Sequence, residues 1–107
     1  TGWSRHWPGP EYLGRPDGCP GVDLSGAKWL SAHNVSVTGT DTLDFECTPT
    51  ASFPVHVHLL IDCGIPILEA LNLDRLLQED VFEFFLIAVP LPIKGGTGSP
   101  LRPLALA

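Results

Sequence analysis

The chain has 107 residues, a formal charge of −6 and six Lys plus Arg; nucleic acid and anionic membrane surfaces both need basic patches, so neither is expected as a partner. Hydrophobic residues make up 44% and charged residues 17%, which permits a packed core and is too apolar for a disordered chain. No apolar run reaches the roughly 18–20 residues of a membrane-spanning helix; the longest, Val81 to Val89, is interrupted by Glu83 and followed by Pro90.

The sequence starts at Thr1. TGWS is not a secretory leader, which needs a charged stretch and then an apolar one; it reads as the end of a strand cut from something longer. Residues 5–22 are dense in Pro and Gly and predict a loop. The segment DLSGAKWLSAHN predicts a helix. Asp23 is its N-cap, Leu24, Ala27, Leu30 and Ala32 form its apolar stripe, and Asn34 ends it. VSVTGTD alternates with period two and predicts a strand. Residues 41–52 are a polar loop. Phe53 to Asp62 predicts a second helix, with Pro54 at its favoured first position and Cys63-Gly64 ending it. Ile65 to Leu71 predicts a strand and Asn72 to Glu79 a short helix. Val81 to Val89 is nearly continuously apolar, as expected of a central strand buried on both faces. PLPIKGGTGSP is a Gly-rich loop, and LRPLALA is a final strand. A helix followed by a strand over about fifteen residues predicts an α/β fold, in one domain spanning residues 1–107.

Cys19, Cys47 and Cys63 show no metal-ligand spacing, and three are too few for a disulfide scaffold. They are expected to be reduced thiols in an intracellular, cytoplasmic protein; a Cys19–Cys47 bridge has no support. Asn34-Val35-Ser36 matches a glycosylation sequon only formally, at a helix-to-strand junction.

The stretch FPVHVHLLIDCGIPILEAL carries two histidines at one end and a lone glutamate at the other. Glutamate is rarely buried without a partner, so Glu69 either escapes to solvent or meets a cation. At 100° per residue, His56 and His58 lie about 200° apart around a helix and cannot face one site. His56 falls on the stripe of Leu59, Leu60 and Cys63 and is directed inward; His58 shares a face with Asp62 and is directed outward. On the following strand Ile65, Ile67, Glu69 and Leu71 share a face. A helix, a tight turn and a strand can bring His56 to Glu69. Imidazole nitrogen plus carboxylate oxygen suits zinc or manganese; a hydrogen-bonded core histidine and an edge glutamate are the plainer alternative. KGGTGS lacks the GxxxxGK[ST] order of a phosphate loop and predicts a turn. There is no GxSxG elbow, and serine, histidine and aspartate show no diagnostic triad spacing.

Taken in order, TGWSRHW, PEYL, PGVDLSGAKWL, VTGTDTLDFE, FPVHVHLL, GIPILEALNLD and VPLPIKGGTGSPLRPLAL resemble the C-terminal half of the cyclase-like metal hydrolases. These include bacterial-type kynurenine formamidase and isatin hydrolase, and the resemblance covers nearly the whole chain. It implies an α/β fold with a mixed β-sheet and flanking helices of the swivelling β/β/α type, incomplete at the N-terminus. It implies hydrolysis of a C–N bond in a small-molecule arylformamide or cyclic amide by water activated on zinc or manganese. It implies one metal-ligating His and one Glu from this half, which fall on His56 after FPV and on Glu69 within PILE. Trp3 and the Gly95–Ser99 loop, Ser99 included, would line the substrate pocket by the same analogy. A homo-oligomer is also implied. The family sets its His twelve residues before its Glu; here His56 stands thirteen before and His58 eleven, so FPVH favours His56 while PILE alone leaves both open. The HxGTHxDxPxH motif that supplies the other ligands and the acid/base histidine is absent from the sequence, which therefore holds no catalytic residue of its own. A fragment, a truncated isoform and a degenerate copy, the last serving as a binding or oligomerisation module, all fit that departure. The isolated chain is also expected to expose strand edges such as Val81–Val89.

Overall fold

Asp23 starts the first helix in the expected way. Its carboxylate accepts from the Gly26 N–H at 2.8 Å and from the Ser25 hydroxyl at 2.7 Å, satisfying a helix-start donor; those bonds lower its pKa. In the computed structural model, which describes residues 1–14 and 17–107, helix α1 runs Leu24–Ala32. Asn34 ends it as expected, by adopting the left-handed region at φ 56°. The Asn34 N–H then bonds Ser31 C=O at 3.1 Å and the Val35 N–H bonds Leu30 C=O at 3.4 Å, the paired closure of a Schellman cap.

That cap shortens the strand expected over VSVTGTD. The Val35 N–H is spent on the helix, so β1 is only Thr38–Gly39. It pairs in parallel with β2, Ile67–Leu68, far shorter than the expected Ile65–Leu71 strand. Bonds continue past the pair, from the Thr40 N–H to Leu68 C=O and from the Ala70 N–H to Thr42 C=O, at 3.0 and 2.9 Å. The strand end expected at TGWS is corrected to a 3₁₀ turn at Trp3–His6, and the loop expected over residues 5–22 contains a second at Pro10–Leu13. Three-residue turns tolerate the spacing of Gly and Pro that excludes a longer helix. The part of that loop at positions 15 and 16 lies outside the described residues.

Helix α2 begins at Pro54, as expected, and runs Pro54–His56; it continues as a π-helical turn, Val57–Asp62. Gly64, at φ 65°, lets the chain turn away where a side chain would be strained. The π winding corrects the facing drawn from 100° per residue. Val55 and Leu59 are buried, but Leu60 and Cys63 are exposed. His58 is not the more outward histidine either: its side chain is 19% exposed against 23% for His56.

The core of this part consists of Ala27, Phe45, Val55, Leu59 and Ile65, flanked by Val22, Leu30 and Ile67. Ala27 from α1, Val55 from α2 and Leu59 from the π-helical turn are completely buried. Each large aliphatic among them contributes about 1.5–3 kcal/mol by leaving water. The polar loop after β1 is partly internal: Asp41, Thr42 and Glu46 are buried, whereas Leu43 and Cys47 are exposed.

The chain divides into two units, Thr1–Asp74 and Arg75–Ala107. Everything above belongs to the first. At the division lies α3, Asp74–Gln78, within the expected 72–79 helix. In the second unit β3, Phe85–Ile87, pairs antiparallel with β4, Leu104–Leu106. The expected central strand is corrected here. Only three residues of 81–89 form ladder bonds, and Phe82, Phe85 and Val89 are 76, 68 and 71% exposed. A two-stranded pair has no layer to cover each face, so an apolar run does not by itself make a central strand. KGGTGS holds a turn, as expected, with the Gly96 N–H on Ile93 C=O at 3.1 Å and Gly95 at φ 75°. Helices and small sheets coexist, consistent with an α/β class; among the described residues the strands form two pairs and not one mixed sheet.

Candidate functional site

The chain that carries Glu69 is fixed before the side chain is considered. The bond from the Thr40 N–H to Leu68 and the bond from the Ala70 N–H to Thr42 bracket it. Ala70 then takes φ 54°, an uncommon conformation for a residue with a Cβ, and turns the backbone directly after the glutamate. Glu69 Oε1 accepts from the Phe45 N–H at 2.8 Å. Its side chain is about a third exposed (34%), so the face expected to be apolar opens to solvent at this position.

His56 closes the α part of α2. Phe53, which precedes Pro54, is also left-handed, at φ 48°, and its ring meets the imidazole edge-on with centroids 5.6 Å apart. The imidazole lies between two carboxylates. Nδ1 is 2.9 Å from Glu46 Oε2, and Nε2 is 3.3 Å from Glu69 Oε1. The structure thus brings His56 to Glu69. It places His58 elsewhere: Nε2 is 2.9 Å from Ser31 Oγ and 3.7 Å from Cys63 Sγ, and Nδ1 is 3.8 Å from an Asp62 oxygen. His58 also lines a groove of about 430 Å³ with Lys28, Pro54 and Asp62, and neither His56 nor Glu69 borders that groove.

Trp3 and Ser99 are engaged locally. The Trp3 indole N–H donates to Tyr12 C=O at 3.1 Å. In the second unit, Ser99 Oγ accepts from the Leu91 N–H and donates to Pro100 C=O, both at 2.8 Å. All three cysteines are free thiols, with Cys19 buried.

Glu46 is the residue that spacing did not reveal. It is 2% exposed and ten residues from His56, in a loop where neither period two nor 3.6 applies. An acid between Phe45 and Cys47 was the only signal. Burial pushes its pKa up, but the bonds from the His56 ring and from the Val55 and His56 N–H groups outweigh burial and hold the carboxyl below its ordinary value. Asp41 behaves alike: burial raises it, and the Thr1 ammonium and hydroxyl and the Ser4 N–H pull it well below the usual range. A carboxyl with a depressed folded pKa stabilises the fold above its unfolded pKa, and this contribution is lost as pH falls through the folded value. The first unit is therefore expected to lose stability below about pH 4.5, the ordinary value for Glu46. Urea midpoints of wild type and Glu46→Gln between pH 3 and 7 check this; the variant should be less stable at pH 7 and show a flatter pH dependence.

The donor set can be tested against a divalent ion. One imidazole nitrogen and one carboxylate oxygen are ligands of the kind zinc and manganese take. Two donors each about 2.1 Å from one ion, at angles between square and tetrahedral, stand roughly 3.0–3.4 Å apart, and His56 Nε2 and Glu69 Oε1 are 3.3 Å apart. The pair fits in kind and separation. It is a partial shell: among the described residues no three His, Cys, Asp or Glu side chains converge as a cage, whereas a catalytic zinc takes three protein ligands. No helix among the described residues is long and apolar enough to cross a membrane.

Comparison with known proteins gives three results. A family model, Cyclase, described as "Putative cyclase", matches residues 1–47, a span that includes Glu46 and stops before His56 and Glu69. The kynurenine formamidase of Geobacillus thermodenitrificans (strain NG80-2) is 36% identical over 87 residues, 81% of this chain and 40% of that protein. The kynurenine formamidase of Salinibacter ruber (strain DSM 13855 / M31) is 37% identical over 73 residues, 68% of this chain and 32% of that protein. The chain thus spans well under half the length of these relatives. No solved structure matches.

Proposed function

We propose a function from the premise that this chain belongs to the cyclase family, the family of the kynurenine formamidases it resembles. It is part of a metal-dependent amide hydrolase in which His56 and Glu69 are two of the protein ligands to zinc or manganese. The substrate class is a small arylformamide or cyclic amide; both relatives are named as formamidases, which supports the formamide. The observation that carries the metal assignment is the 3.3 Å approach of His56 Nε2 to Glu69 Oε1, across thirteen residues of sequence.

When bound, such an ion supplies Lewis acidity, lowering the pKa of a water toward ~7 and polarising the scissile carbonyl. The chain's own residues hold and orient the donors. Glu69 is kept in place through the Phe45 N–H, and His56 through Glu46. Two donors are one short of the minimum for a catalytic site, so at least one further protein ligand is required. The site residues beyond this pair, the swivelling fold, the roles of Trp3 and Ser99 in the substrate pocket, homo-oligomerisation and a cytoplasmic location belong to the same proposal.

The test is metal dependence of amide hydrolysis by the protein at the length found in its source. Chelation should abolish hydrolysis of an arylformamide, and Zn²⁺ or Mn²⁺ should restore it. Full turnover after the metal has been stripped, checked by elemental analysis, would exclude the proposal.

A further inference from the structure

We infer that Glu46 is a positioning residue: it fixes the His56 imidazole with its proton on Nδ1, leaving Nε2 unprotonated and directed at the Glu69 side of the site. The inference rests on the metal reading only for its consequence; the proton on Nδ1 follows from the contacts of Glu46, and Nε2 is bare in the neutral ring.

The buried carboxylate has three N–H donors around it. Val55 N–H lies 3.0 Å from Oε1, and His56 N–H and Nδ1 lie 3.4 and 2.9 Å from Oε2. An ionised carboxylate only accepts, so Nδ1 must donate, and in the neutral ring Nε2 then has no hydrogen. Its lone pair faces Glu69 Oε1, also an acceptor, at 3.3 Å. Two facing acceptors at that distance need a positive charge between them. A metal ion supplies it, and so would a second ring proton.

The same carboxylate starts the helix. Phe53 caps α2 with no side-chain bond, leaving the first N–H groups without intrahelical partners. Glu46 accepts two of them from outside the helix. The ring therefore cannot turn away without Glu46 losing its shortest bond, and Glu46 cannot turn away without uncapping the helix that carries the ring.

Glu46 is itself anchored. The Val22 N–H donates to Phe45 C=O at 2.9 Å and the Cys47 N–H to Val22 C=O at 3.0 Å, clamping the backbone on both sides. Gly21 permits this approach: a Cβ there would stand 2.4 Å from the Glu46 carbonyl carbon, a backbone clash. The dipeptide Phe45-Glu46 thus holds both halves of the pair, Glu69 through the Phe45 N–H and His56 through the Glu46 carboxylate. A supporting carboxylate of this kind, on the far nitrogen of a ligating histidine, sets ring orientation and basicity.

The test is ring ¹⁵N NMR on histidine-labelled protein at about pH 8.5, above the ordinary histidine range. Wild-type His56 is expected to show a protonated Nδ1 and an unprotonated Nε2. In Glu46→Gln, with folding checked from the backbone amide spectrum, the Nδ1–H fraction should fall. Adding Mn²⁺ should broaden His56 and Glu69 signals in the wild type and require roughly 10–100-fold more ion in the variant. A wild-type proton on Nε2 would overturn the inference without any variant. So would a doubly protonated wild-type ring at that pH, or a folded Glu46→Gln with the wild-type tautomer and Mn²⁺ response. If the tautomer shifts as expected but Mn²⁺ broadens neither residue, the positioning role stands and the metal reading fails.

Discussion

His56→Ala is expected to lower amide hydrolysis by more than about 100-fold in the protein at the length found in its source, with loss of bound metal. Removing a supporting group near a metal costs about 10–100-fold, and removing a ligand should exceed that. His58→Ala is the control. His58 bonds Ser31 and lies near Asp62 and Cys63, so its loss should reduce stability but leave turnover per folded molecule intact. The two histidines are separated by one residue, and family spacing left both open. Parallel kinetics and metal analysis of the two variants check the choice; equal loss in both would point to general disruption, and selective loss in His58→Ala would reverse the assignment.

Leu59→Ala is expected to destabilise the first unit by about 2–5 kcal/mol, the range for removing a fully buried leucine side chain. Leu59 is 0% exposed and sits in the cluster with Ala27, Phe45 and Val55. Its neighbour Leu60 is 42% exposed, and Leu60→Ala should fall near the small values of surface positions, about 0.5 kcal/mol. The contrast tests the π-helical turn, since an α-helix carried through His56 would place both leucines on one inward stripe. Urea unfolding of the two variants checks it; similar costs would contradict the π register.

The features legible in the sequence are those set by one residue's chemistry. Asp23 as a cap, Asn34 as a stop, Pro54 as a first helical residue and Cys63-Gly64 as an end all depend on local backbone donors and φ preferences, and all four appear in the structure. Strand lengths were not legible. Val35 is β-prone, but its N–H closes α1; Phe85 is β-prone, but its sheet has a single partner strand. Hydrogen-bond partners, not propensity, set those limits.

The candidate site divides in the same way. The pairing of His56 with Glu69 could be reasoned from a helix, a turn and a strand, although Glu69 lies just beyond a two-residue strand and not within a long one. The facing of Leu60 and His58 could not, because the winding changes from α to π after His56. Glu46 was out of reach: its role comes from a loop folded back onto a helix start, and no spacing rule connects residues 46, 56 and 69.

The most direct test of the central claim is the position of a metal ion in a crystal of the protein soaked with Zn²⁺, located by anomalous scattering at the zinc edge. A peak is expected about 2.0–2.2 Å from His56 Nε2 and from a Glu69 carboxylate oxygen. A peak held by His58 and Cys63, or none near His56 and Glu69, would contradict it.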